Sequence, residues 1–65
     1  MRLVVNGTEL DAVSSTVEAL LEELGYGSAL VATALNGEFV TRADRGARTL
    51  TDGDRVEIVA PLQGG

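Results

Sequence analysis

Apolar residues recur along the chain in short segments, and polar turn residues separate these segments. Residues 2–5 are apolar and β-branched after the first arginine, and Asn6-Gly7 follows directly. Asn-Gly is a strong hairpin signal because both residues accept the positive φ of a type I′ turn. The returning strand is therefore predicted over about residues 8–13. Alternate side chains of a strand point to opposite faces, which places Val4 on the outer face.

One segment instead has the period of an amphipathic helix. Its apolar positions are spaced i, i+3, i+4 and i+7, at Val17, Leu20, Leu21 and Leu24. Ser15 or Thr16 supplies the N-cap, and Ser15 with Glu18 has the spacing of a capping box. Gly25 is suited to end the helix in a left-handed conformation. A helix of about two and a half turns is too short to be stable alone in water, so it must pack on a sheet.

The second half of the chain predicts three more strands. The apolar run over residues 29–35 is typical of a central strand buried on both faces. Asn36-Gly37 is a second hairpin signal, and a short returning strand follows over residues 38–41. Residues 55–60 alternate in polarity, and the side chains expected to point inward are Val56, Ile58 and Ala60. Pro61 has no N–H group and cannot extend a sheet, so pairing should stop there.

The connection over residues 42–49 has no clear period. Its arginines are spaced by three, at Arg42, Arg45 and Arg48, which would gather them on one side of a turn or short 3₁₀ helix. A solvated loop is favoured over a phosphate or carboxylate site. Leu50 is expected to fill the core from this connection. Asp52-Gly53-Asp54 predicts a turn, and it lacks the further ligands of a calcium loop, so no metal site is expected.

The predicted order of elements is β-β-α-β-β-β, which indicates an α+β fold with a mixed sheet of four or five strands. One main helix would pack on one face of that sheet. If the first and last strands pair in parallel at the centre, the compact arrangement is the β-grasp (ubiquitin-like) roll. The other face is then uncovered, and its candidate apolar patch consists of Val4, Phe39 and Val59. Exposed patches of this kind usually mark a surface for a partner.

Length and charge narrow the function further. The 65 residues form one domain at most, with 45% hydrophobic residues but only 3% aromatic ones, so Leu and Val must build the core. The net charge of −5 opposes binding to nucleic acid or to an anionic membrane, and favours partners with basic surfaces. The longest apolar run is too short to span a bilayer, and no signal-peptide pattern is present. A cytoplasmic protein that is a monomer when free is expected.

The last residues of the sequence are the best candidates for chemistry. The chain contains no Cys and no His, and so lacks the usual nucleophiles, soft metal ligands and proton shuttles. Residues 1–60 are predicted to form the domain and residues 61–65 a flexible tail that ends in Gly64-Gly65. Glycines have no Cβ and can thread a narrow channel, which would bring the Gly65 carboxylate to a partner's active site. A frayed, inert terminus is the alternative interpretation.

Taken together, these motifs resemble the ThiS family of sulfur carriers in thiamin biosynthesis. The resemblance covers essentially the whole chain and rests on the order and spacing of Asn6-Gly7, Thr16-Val17 with Leu20-Leu21, Asn36-Gly37-Glu38 with Val40, residues 52–59, and Gly64-Gly65. The length is also closer to ThiS than to the related MoaD carriers of molybdopterin synthase. One departure is Gln63, which stands where many ThiS-like chains have a small residue.

The resemblance implies a mechanism in which this chain is a carrier and not an enzyme. A ThiF-type enzyme, using its own ATP and Mg²⁺, would adenylate the Gly65 carboxylate. A persulfide sulfur donor would then displace AMP, and a ThiG-type thiazole synthase would receive the sulfur from the thiocarboxylate. The residues that would thread into these partners are Pro61, Leu62, Gln63 and Gly64, and the chain itself would bind no cofactor. The alternatives are a molybdopterin-type carrier, a ubiquitin-like protein conjugated to lysines, and a plain interaction module.

Overall fold

The computed structural model describes residues 1–27 and 29–60, which form a five-stranded mixed sheet with one α-helix. The elements in chain order are β1 (Arg2–Val5), β2 (Thr8–Asp11), α1 (Val17–Glu23), β3 (Ala32–Leu35), β4 (Glu38–Val40), a 3₁₀ helix (Arg42–Asp44) and β5 (Arg55–Val59). The strand order across the sheet is β2-β1-β5-β3-β4. Two antiparallel hairpins, β1–β2 and β3–β4, thus flank the last strand.

The central strand β5 decides the topology. It pairs in parallel with β1, where Val5 lies opposite Val56. On its other side it pairs antiparallel with β3, in the register Thr33 to Ile58 and Leu35 to Val56. The parallel pairing of the first and last strands is the arrangement that defines the predicted roll, so the β-grasp prediction is confirmed.

The first hairpin turn does more than reverse the chain. Asn6 and Gly7 have φ values of 50° and 82°, as a type I′ turn requires. The amide of Asn6 also bonds to β5: its Nδ2 donates to the Ile58 carbonyl at 3.0 Å, and its Oδ1 accepts from the Ile58 N–H at 2.8 Å. The side chain therefore continues the pairing of β5 at the point where β1 turns away.

The second hairpin turn contacts β5 from the opposite side. Asn36 and Gly37 have φ values of 51° and 85°. The Oδ1 of Asn36 accepts from the Arg55 N–H at 2.9 Å, and its backbone N–H donates to the Arg55 carbonyl at 2.7 Å. Both turn asparagines consequently fix the register of the hairpins against the central strand.

Helix α1 is capped at both ends by local contacts. The Thr16 hydroxyl accepts a hydrogen bond from the Ala19 N–H at 3.1 Å, so Thr16 is the N-cap and not Ser15. At the C-terminus Gly25 has a φ of 89°, and the Tyr26 N–H bonds to the Leu21 carbonyl at 2.9 Å, as in a Schellman motif. Within residues 1–27 and 29–60, no helix has both the length and the apolar character needed to cross a membrane.

The core lies between α1 and one face of the sheet. Leu3 and Leu20 are fully buried at its centre, and Leu50 closes it from the connection before β5, as predicted. The other buried hydrophobic residues are Val5, Ala12, Val17, Leu21, Leu35, Val40, Val56 and Ile58. The strands β1, β3 and β5 each contribute alternate residues to the buried face, while β4 contributes only Val40 and the partly buried Leu10 of β2 packs against the core.

The prediction for residues 29–35 was wrong about burial. The strand covers only Ala32–Leu35, and only Thr33 and Leu35 within it are buried. Leu30 is 68% exposed and precedes the strand. The physical reason is that α1 covers one face of the sheet, while none of the described residues covers the other face. The apolar run is therefore part core and part surface.

Three strand ends also differ from the sequence prediction. β2 ends at Asp11 and β4 at Val40, one or two residues before their predicted limits. Ala60 was expected to point inward, but it is exposed and follows the end of β5. Val59, the last residue of β5, pairs with Ala32, the first residue of β3, so Ala60 has no strand residue opposite it.

Two carboxylates hold connections in place. Glu23 accepts hydrogen bonds from the Ser14 N–H at 3.0 Å and from the Ser14 hydroxyl at 2.5 Å. Asp54 accepts from the Asn36 Nδ2 at 3.0 Å and from the Thr51 N–H at 2.8 Å. The hydrogen bond from Ser14 lowers the pKa of Glu23, and the one from Asn36 lowers the pKa of Asp54. The ionised carboxylate therefore stabilises the loop conformation in each case, because it accepts these hydrogen bonds.

We expect Asn6→Gly to lower the free energy of unfolding by about 1–3 kcal/mol, because two hydrogen bonds to β5 are lost while glycine tolerates the turn conformation. Urea denaturation monitored by circular dichroism measures this change. Asn6→Asp keeps the acceptor for the Ile58 N–H but not the donor, and should give an intermediate loss. Equal stability of wild type and Asn6→Gly would contradict the role of the amide.

Stability should also depend on pH through Asp54. Its ordinary pKa of 3.8 is lowered by folding, so its contribution is complete above that value and is lost as the pH falls through the folded-state pKa. Urea denaturation of wild type and Asp54→Asn at a series of acidic pH values tests this. The variant should be less stable at neutral pH, and the difference should shrink below about pH 4. A difference that stays constant would show that the charged form is not favoured by folding.

Candidate functional site

The predicted sulfur-attachment residue and tail lie outside the described residues: these are Pro61, Leu62, Gln63, Gly64 and Gly65. The structure does describe the point from which the tail starts. β5 is the central strand, and its last residue, Val59, is followed by Ala60. Residue 61 therefore continues directly from the end of the central strand, and the surface around Val59 is the surface beside the tail's origin.

An apolar patch lies on the open face of the sheet at this end. Phe39 and Val59 are 64% and 61% exposed. They are brought together through β3, because Phe39 pairs with Ala34 and Val59 pairs with Ala32. We use "apolar patch" for Leu30, Ala32, Ala34, Phe39 and Val59, which line two adjoining shallow hollows. The patch is contiguous and adjoins the origin of the tail.

Val4 does not belong to this patch. It lies on the same open face but is half-buried, opposite Glu9 on one side and Arg55 on the other. The hollow that it lines also contains Arg55 and Glu57. Of the three predicted docking residues, the structure thus brings Phe39 and Val59 together and places Val4 in a charged part of the face.

The far edge of the open face is polar. Arg2 forms ion pairs with Glu9 at 2.9 Å and with Asp11 at 3.1 Å, and all three side chains are more than half exposed. The hydrogen bond that Arg2 donates to Glu9 and the charge of Asp11 raise the pKa of Arg2. Exposed ion pairs contribute little stability. Their effect here is that the open face has an apolar end and a charged end.

Sequence reasoning missed Leu30, because the run over residues 29–35 was assigned entirely to a buried strand. It also missed the position of Arg45. That side chain is only 9% exposed, so the solvated-loop prediction was wrong for this residue. Its Nη2 donates to the Val31 carbonyl at 2.6 Å, and its Nε donates to the Thr33 hydroxyl at 3.3 Å. The spacing of the arginines was the available signal, and it did not reveal which of them is buried.

The open face offers apolar contacts around Phe39 and Val59. Within the part of the chain that the structure describes, no three His, Cys, Asp or Glu side chains are grouped so that they could hold a metal ion. In the same part, every buried side-chain nitrogen or oxygen has a hydrogen-bond partner. An apolar surface beside the start of a tail is therefore the arrangement that a docking protein would use to position its C-terminus in a partner.

Comparison with known proteins identifies the family. The model of the ThiS family matches residues 3–65. The sulfur carrier protein ThiS of Thermus thermophilus is 39% identical over 61 residues, which cover 94% of this chain and 95% of that protein. A thiazole synthase of Paramagnetospirillum magneticum is 47% identical over 66 residues, which cover all of this chain but only 20% of that protein. This chain thus spans about a fifth of the length of the second relative.

Solved structures agree with this assignment. The crystal structure of the thiamine biosynthesis protein ThiS from Geobacter metallireducens superimposes with a TM-score of 0.85 at 36% identity, and the match covers both chains completely. An NMR structure of a thiamine biosynthesis protein from the same organism gives a TM-score of 0.81 at 38% identity, covering all of this chain and 88% of the other. The fold and the family are therefore both established.

Because Phe39 and Val59 contribute little to the core, we expect Phe39→Ser and Val59→Asp to change the free energy of unfolding by less than about 1 kcal/mol. Val40→Ser, one position along the same strand, removes a side chain that is 1% exposed and should cost several-fold more. Thermal unfolding of the three variants provides the measurement. A large loss for the first two would mean that the patch is needed for folding and is not available for docking.

Proposed function

The chain belongs to the ThiS family, and on that premise we propose that it carries sulfur for thiamin biosynthesis on the carboxyl group of Gly65. The observation that carries the proposal is the extent of the family match, which runs through residue 65 and so includes Gly64-Gly65. The apolar patch beside the start of the tail supports it, because a carrier must be held by a partner while its terminus reacts. The chain acts as a co-substrate of its partners, and not as an enzyme.

The chemistry follows from the properties of a carboxylate. Its negative charge repels nucleophiles and its oxygen is a poor leaving group. Attack of a Gly65 carboxylate oxygen on the α-phosphorus of ATP releases pyrophosphate and forms an acyl-adenylate. A persulfide sulfur then attacks the carbonyl carbon and AMP leaves. This attack forms a carbon–sulfur bond and leaves the carrier joined to the donor through the persulfide's own sulfur–sulfur bond. A second thiolate attacks the donor sulfur of that bond and forms a disulfide with it, which releases the C-terminal thiocarboxylate. ATP and Mg²⁺ belong to the ThiF-type adenylating enzyme in this scheme.

The carrier contributes reach and selectivity of docking. Each residue of an extended chain spans at most about 3.3–3.6 Å, so the five residues after Ala60 could reach at most about 17 Å. Gly64 and Gly65 suit a narrow channel of a partner, because glycine has no side chain that would clash with the channel wall. We assign Pro61 and Leu62 to the base of the tail, Gln63 to its middle, and Phe39 and Val59 to the docking surface. Val4 is placed at the margin of that surface.

The acceptor of the sulfur is proposed to be a thiazole synthase of the ThiG type. The relative named as a thiazole synthase supports this choice. It contains a segment that is 47% identical to this chain, and the match covers the whole of this chain. A carrier and the enzyme that consumes its sulfur gain effective concentration when they are linked in one polypeptide. We further propose that the protein acts in the cytoplasm, where ATP is available, and that it is a monomer when free.

Intact mass spectrometry tests the proposal directly. The chain is incubated with a ThiF-type enzyme, ATP, Mg²⁺ and a persulfide sulfur donor. The expected result is the mass increase of one sulfur in place of one oxygen, located by fragmentation at Gly65. Deletion of Gly65 should abolish the increase, since the remaining terminus falls one residue short of the adenylating site. Adding thiazole synthase with its substrates should then return the chain to its original mass.

A matched control separates the tail from the domain. Thr8 lies on β2, the edge strand on the opposite side of the sheet from β4. The variant Thr8→Ala should therefore show the same mass increase as the wild type. No mass increase of the wild type, with an activating enzyme that modifies an established carrier, would refute the proposed function. Consumption of the sulfur by molybdopterin synthase and not by thiazole synthase would assign the carrier to the other pathway.

A further inference from the structure

Arg45 is a buried cation that has neutral partners. Its guanidinium bonds to the Val31 carbonyl and to the Thr33 hydroxyl, and Thr33 in turn donates to the Val40 carbonyl at 3.0 Å. Within residues 1–27 and 29–60, no carboxylate oxygen lies within 4.0 Å of it, whereas Arg2 and Arg48 both have such partners. A desolvated charge is costly unless an opposite charge compensates it. Arg45 is therefore prepared for a carboxylate that this part of the chain does not supply.

Arg42 lies close to Arg45 and provides a second guanidinium group, which is exposed. It begins the 3₁₀ helix, and it too has no carboxylate oxygen within 4.0 Å among the described residues. Both arginines line one hollow together with Leu30 and Phe39. That hollow adjoins the apolar patch, so two positive groups lie directly at its margin. The residues that line this hollow include the two arginines and no acidic residue, in a chain whose net charge is −5.

The arginine pair is held in place by the helix. The Glu18 N–H in the first turn of α1 donates to the Arg45 carbonyl at 3.1 Å, and the Arg45 N–H donates to the Arg42 carbonyl at 3.5 Å. The Val17 N–H donates to the Arg48 carbonyl at 3.0 Å. The connection is thus fixed at the start of α1, and the Arg45 guanidinium is positioned by its bonds to Val31 and Thr33 before any partner arrives. Such preorganisation lowers the entropy lost on binding.

The acidic neighbours define the direction of approach. Glu18 and Glu22 line a separate hollow on the helix side of the same two arginines. A negatively charged group that approached over the helix would meet these carboxylates. An approach over the apolar patch instead meets Leu30 and Phe39 first and then the arginines. The hollow lined by the two arginines, Leu30 and Phe39 is therefore complementary to a partner surface that has a carboxylate side chain next to apolar side chains.

We propose that Arg42 and Arg45 bind a carboxylate side chain of the adenylating enzyme, next to the apolar contact made by Phe39 and Val59. This inference rests on the proposed function, because it assigns the partner surface to the enzyme that receives the tail. The arginine pair sets the orientation of the carrier, since a bidentate guanidinium–carboxylate contact fixes both distance and angle. In this proposal the two arginines act as positioning residues for the domain.

The test is steady-state adenylation of the carrier, followed as ATP–pyrophosphate exchange with the ThiF-type enzyme. Arg42→Glu should raise the KM for the carrier at least about tenfold, because a like charge replaces the pair, and should change kcat little. Arg55→Glu is the matched control: it makes the same change of charge on the same sheet face, at the end that contains Val4. Its KM should stay within about twofold of wild type.

Salt and a conservative variant provide independent readouts. The KM of wild type should rise with NaCl concentration, and Arg42→Gln should show a weaker dependence because one charge pair is gone. Arg45→Lys keeps the charge but loses the planar fork, and should raise KM less than Arg42→Glu. Thermal unfolding confirms that each variant is folded before it is assayed.

The outcomes separate the two proposals. Equal KM values for Arg42→Glu and Arg55→Glu, or a lower KM for Arg42→Glu, would overturn the arginine site and leave the carrier function intact. Absence of exchange with the wild type would refute the carrier function, and the arginine site with it. A selective rise in KM for Arg42→Glu, with unchanged kcat, supports both.

Discussion

The structure depends on one constraint, which is that the last strand must be paired along both of its edges. β5 obtains these partners from the two hairpins, in parallel on one side and antiparallel on the other. Asn6 extends the pairing where β1 ends, and Asn36 performs the same task beside β3. The strand β5 thereby becomes the central strand of the sheet.

The small size of the chain has a direct functional consequence. A helix of 7 residues covers one face of a five-stranded sheet and leaves the other without a covering element among the described residues. The apolar patch on that open face lies where β5 ends, so the surface available for docking and the origin of the tail coincide. One-sided packing thus serves a carrier, because the surface that the fold leaves uncovered is the surface that a partner covers.

The surface around the patch is divided by charge. Arg2 and its acidic partners neutralise one end of the face, while Arg42 and Arg45 give the other end a positive margin. Apolar contact alone has little directionality, whereas charged groups fix orientation and exclude wrong partners. In the proposed function, this combination would orient a domain that contains no Cys and no His while its terminus reacts. In the proposed function, the chemistry takes place at the terminal carboxyl group.

The sequence alone determined the local features, because their causes lie within a few residues. The Asn-Gly turns, the period of α1 with Gly25 at its end, and the alternation of β5 each depend on neighbours along the chain, and together they were sufficient to predict the β-grasp fold. The tertiary structure decided which apolar residues remain exposed. Leu30 and Phe39 are on the surface because α1 covers the other face, Arg45 is buried because Val31 and Thr33 supply acceptors, and Val4 is set among charges by Glu9 and Arg55. Burial depends on contacts between segments that are distant in sequence, and the periodicity of the sequence does not predict those contacts.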